Sequence, residues 1–456
     1  MTSETETTST EPSQPKELTP RAMLLNVGPS HPAMHGVIRI VTQLEGETVE
    51  KCEIEIGYLH RGFEKSCEQG GYNQAVPYTD RLNYVSPLIN NFGYVMAVEK
   101  LLGIQVTERC EYIRVIMGEI SRVTDHLTCV AASAMELGAM TVFLYMIKAR
   151  EFLWELVEDV TGARLTISYG RVGGVSGDLP DGFKEKALGV FKEVRKVLVE
   201  VDKLLTRNRI FVDRTKGVGT ISRADAIGYG FTGPVARSVG IDYDVRRDQP
   251  YGVYNRLKFE VPLGTRGDNL DRYYVRMQEM EQSLRIAEQA LATLPGGAVN
   301  VDASGNVIEA RDMVDRAKMG QTRGVKQTLV QLSPNLEGLQ DPRYKQVVAS
   351  DKRAVLPAKS NTYGNIEGLM NHFMLIMEGY GIQPPKGEAY ACVEGANGEL
   401  GFYVVSDGTG RPYRVRVRPP CFALMAGVHR MLEGFMMADI VPTFGSINMI
   451  AGELDR

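Results

Sequence analysis

The feature of this sequence that most limits its fold is a long stripe of apolar residues. The stripe runs from Ile113 to Ala134 at steps of three and four residues, which is the spacing of one buried face of an α-helix. Other segments share this pattern and contain few internal helix breakers, and they lie at 141–160, 182–208, 268–294, 361–379 and 420–438. Together these segments predict a central helical bundle.

Two other segments carry the alternating pattern of half-buried strands. Residues 37–56 alternate on both sides of the turn Glu45–Glu47, and residues 389–420 alternate around glycine-rich turns. Each segment predicts a small antiparallel sheet. The expected fold class is therefore α+β, with a helical bundle between two small sheets.

These patterns divide the chain into four regions. Residues 1–20 are rich in Thr, Ser, Glu and Pro and predict a disordered tail. A β-rich region with a histidine-containing loop follows at 21–90, and the helical core spans 91–380. The last region, 381–456, contains the second sheet, a helix and a tail, and we expect it to pack back on the core.

The composition excludes several classes of function. The chain has 456 residues and a net charge of -4, with no block of lysine or arginine, so it lacks the positive surface of a protein that binds nucleic acid or anionic lipid. No apolar run approaches the roughly 20 residues that span a bilayer, so we expect a cytosolic chain that meets the membrane only through partners. Six scattered cysteines without a C-x-x-C pair predict neither disulfides nor a zinc or iron–sulfur site.

Two histidines four residues apart, His31 and His35, form the first candidate site. On a helix they would share one face and could bind a metal, but Pro32 and Gly36 favour a turn that enters a strand. The residues alone leave three interpretations open. The rings could be structural and bonded to the backbone, they could act in a mechanism, or they could bind a metal.

Other candidate side chains also have ordinary structural interpretations. Tyr84 could be a core aromatic residue, and Arg61 and Arg81 could be surface or ion-paired arginines, with Glu64 as a partner for Arg61. Glu136 lies off the apolar stripe of its helix. It is either a solvated carboxylate or one that lines a polar cavity.

A series of ordered motifs from about Leu24 to Arg456 resembles one family. The motifs include GPSHPAMHG, IGYLHRGFEK, YTDRLNYVSP, GPVARSVGIDYDVR and GSINMIAGELDR. They are similar to the 49-kDa-type (D) subunit of the proton-pumping NADH:quinone oxidoreductase, respiratory complex I, which is homologous to the large subunit of nickel-iron hydrogenases. The resemblance implies a helical bundle of that hydrogenase type. It also implies a peripheral-arm subunit that forms the quinone-reduction site beside the terminal iron–sulfur cluster of a partner.

The resemblance assigns roles to individual residues around the quinone. His35 and Tyr84 match the residues that hydrogen-bond the quinone carbonyls, and both can exchange a proton because their ordinary pKa values are about 6.5 and 10. Glu136 stands beside them where the family usually has aspartate, and we expect it to favour the charged imidazolium of His35. The loop of the quinone site would also contain His31, Pro32 and Met34.

A second group matches residues near the partner's iron–sulfur cluster. Arg61 and Arg81 would lie against that cluster and stabilise its reduced form. Thr166 stands where the family often has a histidine that makes the cluster potential depend on pH. We therefore expect a potential that varies little with pH, and a quinone of the lower-potential menaquinone type.

The chain departs from the hydrogenase pattern at the metal ligands. Asn83 and Ser86 stand where the first two cysteine ligands would be, and the final motif has no cysteine at all. Because a nickel-iron centre needs thiolates, the resemblance implies an emptied metal cavity and no hydrogenase activity. Asn448 also replaces a commonly acidic residue.

The resemblance further implies which molecules the chain binds. We expect no metal and no cofactor held by the chain itself, with quinone as its substrate. The expected partners are the iron–sulfur (B) and C subunits of complex I, other peripheral-arm subunits and the membrane-arm subunit at the quinone entrance. The expected location is peripheral, on the cytoplasmic side of the bacterial inner membrane.

Three alternative functions remain at this stage. The chain could be the equivalent subunit of a ferredoxin- or deazaflavin-dependent quinone reductase. It could be a non-catalytic scaffold whose cavity is vestigial. Finally, His31 and His35 could belong to a metal-dependent hydrolase.

Overall fold

A computed structural model describes residues 22–34, 36–301, 305, 307–308, 359–364, 366–377 and 382–456. The predicted tail at 1–20 and the candidate residue His35 lie outside the described residues. The helices are α1 (Phe63–Gln69), α2 (Tyr72–Thr79), α3 (Pro87–Leu102), α4 (Glu108–Glu136), α5 (Met140–Thr161), α6 (Phe183–Val201), α7 (Arg209–Thr215), α8 (Arg223–Gly228), α9 (Gly233–Ser238), α10 (Val245–Asp248), α11 (Asn269–Ala292), α12 (Lys359–Gly364), α13 (Ile366–Ile376), α14 (Pro420–Leu432), α15 (Ile440–Ile447) and α16 (Ala451–Leu454). The strands are β1 (Ala22–Val27), β2 (Arg39–Glu45), β3 (Thr48–Glu55), β4 (Gly170–Arg171), β5 (Gly174–Val175), β6 (Asn300–Val301), β7 (Val307–Ile308), β8 (Gly387–Gly395), β9 (Gly398–Ser406) and β10 (Arg414–Arg418).

Helix α4 is the centre of the bundle and confirms the predicted apolar stripe. Its first turn is capped by Thr107, whose side chain accepts a hydrogen bond from the Cys110 amide. Every residue of the stripe from Ile113 to Ala134 is buried, and α4 packs against α5 and α11. Burial of each large aliphatic side chain contributes about 1.5–3 kcal/mol, so this stripe fixes the helix in the core.

Most of the predicted helix boundaries agree with the structure. The segments at 141–160 and 268–294 correspond closely to α5 and α11. The prediction of one helix over 420–438 is wrong at its end, because α14 stops at Leu432. Gly434 then adopts a positive φ of 86°, which a helix cannot continue through.

Both predicted sheets are present. Strands β2 and β3 form the expected hairpin, and β1 adds a third antiparallel strand with Val27 opposite Ile40. Strands β8, β9 and β10 form the second antiparallel sheet. Val49 exchanges backbone hydrogen bonds with Gly434 and Phe435, so the first sheet is joined to the C-terminal region.

A set of buried ion pairs connects the bundle to the second sheet. We call it the arginine lattice, and it consists of Glu119, Arg122, Arg237, Asp244, Arg246, Glu279 and Glu394. Its members come from α4, α9, the start of α10, α11 and β8. Each is buried, and each has a partner of opposite charge within 4 Å, so the charges compensate one another.

Within the described part of the chain, no helix is both long enough and apolar enough to cross a membrane.

Candidate functional site

Asn83 and Ser86, which stand where the resemblance implies cysteine ligands, meet around one buried carboxylate. Asp125 Oδ2 accepts hydrogen bonds from Asn83 Nδ2 at 2.8 Å and from Ser86 Oγ at 2.7 Å. Asp125 Oδ1 accepts one from Asn448 Nδ2 at 2.8 Å. Hydrogen-bonded side chains therefore meet where the resemblance implies an emptied metal cavity.

This group extends through amides towards the C-terminus. Asn448 Nδ2 also lies 2.7 Å from Asn397 Oδ1, and Asn397 Nδ2 donates to Cys421 Sγ at 3.5 Å. We call Asn83, Ser86, Asp125, Asn397 and Asn448 the Asp125 cluster. Asn448 caps α15 with a φ of 60°, a left-handed conformation that asparagine tolerates better than most residues.

A second buried carboxyl lies next to the Asp125 cluster. Glu453 on α16 accepts a hydrogen bond from the Cys421 amide at 3.2 Å. Burial raises the pKa of Glu453 to about 7, and the charge of Asp125 acts in the same direction. Glu453 and its neighbours Asn397 and Cys421 were missed from the sequence, because they meet only in the folded chain.

Tyr84 stands on the turn between α2 and α3, at the edge of the Asp125 cluster. Its side chain is 39% exposed, which does not fit the alternative of a core aromatic residue. The turn is held by Asn83 Oδ1, which accepts hydrogen bonds from the amides of Val85 and Ser86. Burial raises the pKa of Tyr84, and the negative charge of Asp125 raises it further.

Glu136 ends α4 and is half-buried rather than fully solvated. Its Oε2 is buried and has no hydrogen-bond partner among the described residues. A Cβ at Gly445 would lie 2.1 Å from that oxygen, so a larger residue there would force the Glu136 carboxyl to move. Burial raises the pKa of Glu136 to about 7, which lets the carboxyl exchange a proton near neutrality.

The histidine loop forms a turn before β2. Pro32–Met34 is a short 3-10 helix, and Gly36 follows with a φ of 77°. The exposed ring of His31 accepts a hydrogen bond at Nδ1 from the Ala33 amide at 3.2 Å, while Met34 is fully buried. His35, which lies outside the described residues, follows this turn directly.

Arg61 and Arg81 lie together on the surface. Arg61 donates to the backbone oxygen of Arg81 at 2.7 Å, and burial together with the charge of Arg81 lowers the pKa of Arg61. The predicted ion pair of Arg61 with Glu64 is wrong, because Glu64 instead pairs with Arg416 and Arg456. Arg81 Nη1 donates to the Pro77 backbone oxygen, so neither arginine forms an ion pair with a carboxylate of the described residues.

Thr166 belongs to the same side of the molecule. It lies exposed in the loop after α5 with a φ of 53°, and its hydroxyl donates to the backbone of Leu165. Ser168 of this loop donates two hydrogen bonds to Asp80, the residue before Arg81. The loop of Thr166 is therefore attached to the segment that carries Arg81.

A separate cleft of about 590 Å³ is lined by residues of α3, α4 and β8. Its walls include Phe92, Arg114, Tyr251 and Tyr390. None of the candidate residues that the structure describes lines this cleft. In the same described ranges, no group of three or more His, Cys, Asp or Glu side chains is arranged to hold a metal ion.

Comparisons with known proteins identify close relatives. Residues 136–456 match the family model described as the respiratory-chain NADH dehydrogenase, 49 Kd subunit. The chain is 49% identical to the first D subunit of the NADH-quinone oxidoreductase of Sorangium cellulosum, over 96% of this chain and 97% of the relative. It is 48% identical to the D subunit of the same enzyme of Myxococcus xanthus, over 96% of this chain and 93% of the relative. It is also 45% identical to the NADH-quinone oxidoreductase C/D subunit of Bdellovibrio bacteriovorus, over 98% of this chain and 71% of that longer relative.

Proposed function

Because the chain belongs to the family of the 49 kDa subunit of respiratory-chain NADH dehydrogenase and is a subunit of complex I, we propose that it forms the quinone-binding and reduction site of that complex. The observation that carries the proposal is the position of Tyr84. A phenol that is 39% exposed stands at the edge of a buried polar cluster, in the place that the family gives to the quinone ligand. The site opens at the surface of this chain, so partner subunits complete its walls.

The side chains suit the chemistry of quinone reduction. A quinone takes up two electrons and two protons to become a quinol. The electrons arrive from the iron–sulfur cluster of the partner subunit. Tyr84 and His35 hydrogen-bond the two carbonyl oxygens and pass a proton to each as its charge develops. The raised pKa of Tyr84 keeps its phenol protonated and ready to donate before the reaction.

Glu136 supports the histidine. With a pKa of about 7, its carboxyl is partly protonated at neutral pH and can take up or release a proton beside His35. In the ionised form it favours the imidazolium of His35. The role of His35 rests on the family resemblance and on its place after the Pro32–Met34 turn.

The surface around Arg61 and Arg81 supports contact with the iron–sulfur (B) subunit. Two adjacent guanidinium groups stabilise added negative charge, which is what a reduced cluster presents. A relative named as a combined C/D subunit supports the C subunit as a further neighbour. We place the chain peripherally on the cytoplasmic side of the membrane, with the membrane-arm subunit at the quinone entrance.

Thr166 affects how the potential of the partner's iron–sulfur cluster depends on pH. It carries no titratable group, so the potential of the partner's cluster should vary little with pH, and a menaquinone-type acceptor fits that expectation. A redox titration of the intact complex between about pH 6 and pH 9, on either side of the ordinary histidine pKa, tests this point. A steep dependence of the cluster potential on pH would contradict it.

The quinone site itself is tested in the intact complex with His35→Ala and Tyr84→Phe. We expect each to lower quinone turnover by about tenfold or more at normal assembly, since a proton donor that acts in the transition state typically contributes about 100-fold or more. Tyr413→Phe is the matched control, because Tyr413 is 68% exposed and lies far along the chain from Tyr84. Unchanged turnover in both site variants would instead support a non-catalytic scaffold.

Substitutions of His31 and His35 should have different effects on assembly and on turnover in the same experiment. His31→Ala removes the acceptor for the Ala33 amide and should lower assembly more than turnover per assembled complex. His35→Ala should do the reverse. Equal effects on both measurements would contradict the different roles of the two rings.

A further inference from the structure

We propose that Asp125 is a positioning residue for Tyr84, which it holds in place through the Asn83–Ser86 turn and keeps protonated through its negative charge. This inference rests on the proposed function, because it concerns the residue that contacts the quinone there. Asp125 itself is fully buried and does not touch the substrate. It acts through a neighbour that does.

The first support is the hydrogen bonding of the turn. Asp125 receives one hydrogen bond from Asn83 and one from Ser86, the residues that stand one position before and two positions after Tyr84. Asn90 also donates to the backbone oxygen of Asn83 at 2.9 Å. The backbone that carries the phenol is therefore fixed on both sides by one carboxylate.

The second support is the rigidity of the helix that carries Asp125. His126, the next residue of α4, is fully buried, and its Nε2 lies 2.8 Å from Glu279 of α11. Glu279 in turn belongs to the arginine lattice. These contacts hold the part of α4 that carries Asp125 against α11, so the backbone at Asp125 is fixed by the bundle.

The third support is the charge. The donors to Asp125 are two amides and a hydroxyl, all neutral, and none of the described cationic side chains forms an ion pair with it. The charge of Asp125 acts on Tyr84, on the buried thiols Cys129 and Cys421, on His126 and on the carboxyl Glu453, and Arg276 of α11 acts on Cys129 and His126 with the opposite sign. A negative charge that forms no ion pair disfavours a tyrosinate nearby. After Tyr84 gives up its proton, this field therefore favours the prompt return of a proton to the phenol.

A double-mutant cycle in the intact complex tests the inference. Asp125→Asn keeps the size of the side chain but removes the charge and one acceptor. We expect turnover per assembled complex to fall by about tenfold, the scale of one hydrogen bond to a charged group. In the Tyr84→Phe background the same change should lower turnover by less than about twofold, because the residue through which Asp125 acts is already lost.

A double substitution that exchanges the two side chains separates an effect of the charge from an effect on folding. Asp125→Asn combined with Asn448→Asp moves the carboxylate across a single hydrogen bond, and Asn397 can turn its amide to donate to it. We expect this pair to recover most of the turnover that Asp125→Asn loses. Failure of the swap to recover any turnover, in a complex that assembles normally, would overturn the role of the charge.

Asp271→Asn is the matched control, since it neutralises a buried aspartate on α11 whose hydrogen bonds stay within residues 265–271. It should lower thermal stability and leave turnover per assembled complex unchanged. If Asp125→Asn caused the same loss in the wild-type and Tyr84→Phe backgrounds, the inference would be overturned while the quinone site stayed intact. Full turnover in Tyr84→Phe alone would overturn the role of Tyr84, and with it the basis of this inference.

Discussion

Helix α4 contributes residues to two buried polar groups that differ in their electrostatics. In the arginine lattice, four carboxylates pair with three arginines. In the Asp125 cluster, amides and a hydroxyl surround one carboxylate. A compensated lattice produces little field outside itself and serves to hold elements together. A carboxylate without an ion-pair partner raises the pKa of the acidic groups beside it, which suits a site where a neighbour must hold a proton.

The pKa values of the carboxyls reflect this difference. Arg237 and its neighbours hold the pKa of Glu279 at about 2 despite complete burial. Glu136 and Glu453, which do not belong to the lattice, have pKa values raised to about 7 by burial. Glu279 of the lattice therefore stays ionised at neutral pH, whereas Glu136 and Glu453 can exchange protons near neutrality.

The largest effect is expected from breaking the lattice. Arg237→Met would leave Glu279, Asp244 and Glu394 buried with one partner fewer each, and loss of one partner of a buried pair costs about 3–5 kcal/mol. We expect little assembled complex and a lower melting temperature. Arg164→Met is the control, because its ion pairs are exposed to solvent and contribute little to stability. Normal assembly of Arg237→Met would show that the lattice is not structural.

A smaller effect, with a defined pH dependence, is expected at Glu136. Its pKa is about 7 in the folded chain and about 4.5 in the unfolded chain, so the unfolded chain ionises first as the pH rises. The free energy of unfolding should fall by about 3 kcal/mol between about pH 4.5 and pH 7 on this account. Glu279 has the opposite sign, since its stabilisation is present above about pH 4.5 and is lost as the pH falls towards 2.

The measurement is the melting temperature of the intact complex between about pH 5 and pH 8, a range that brackets the pKa of Glu136, for the wild type and for Glu136→Gln. Glutamine cannot ionise, so the advantage of the variant should grow as the pH rises. A difference that stays constant across this range would mean that Glu136 is already paired with a cation in the complex. That result would favour a permanent ion pair with His35 over an exchangeable proton.

The sequence predicted the helices that carry the lattice and the Asp125 cluster, but not the contacts within either group. Periodicity predicted α4, α5 and α11 to within a few residues, because a buried apolar stripe is a local signal that repeats every turn. It did not predict β1, an edge strand whose side chains are mostly exposed and do not alternate. The Asp125–Asn448 hydrogen bond joins residues that are 323 positions apart, and no local pattern encodes such a contact.

The candidate residues show the same limit. Tyr84 was found through the family motif, while its own position favoured a core aromatic residue. The family pattern also identified Asn83, Ser86 and Asn448 as departures, but their common partner Asp125 was only one polar residue on a helix face. A departure from the family pattern identifies a changed position but not the new partner of its side chain. Only the folded structure shows that Asn83, Ser86 and Asn448 all donate hydrogen bonds to Asp125.

The smallest effect is expected at Ser86, and it tests whether the Asp125 cluster differs in function from the arginine lattice. Ser86→Ala removes one of the three donors to Asp125 and leaves Asn83 and Asn448 in place. We expect a loss of about 1 kcal/mol of stability and a fall in turnover of about two- to threefold, because a partly desolvated carboxylate keeps most of its partners. Ser238→Ala is the control, as that buried hydroxyl donates only to the Val235 carbonyl in its own helix. If both serine variants lost stability alike and neither lost turnover, the Asp125 cluster would be a structural feature like the lattice, and the contrast between the two groups would fail.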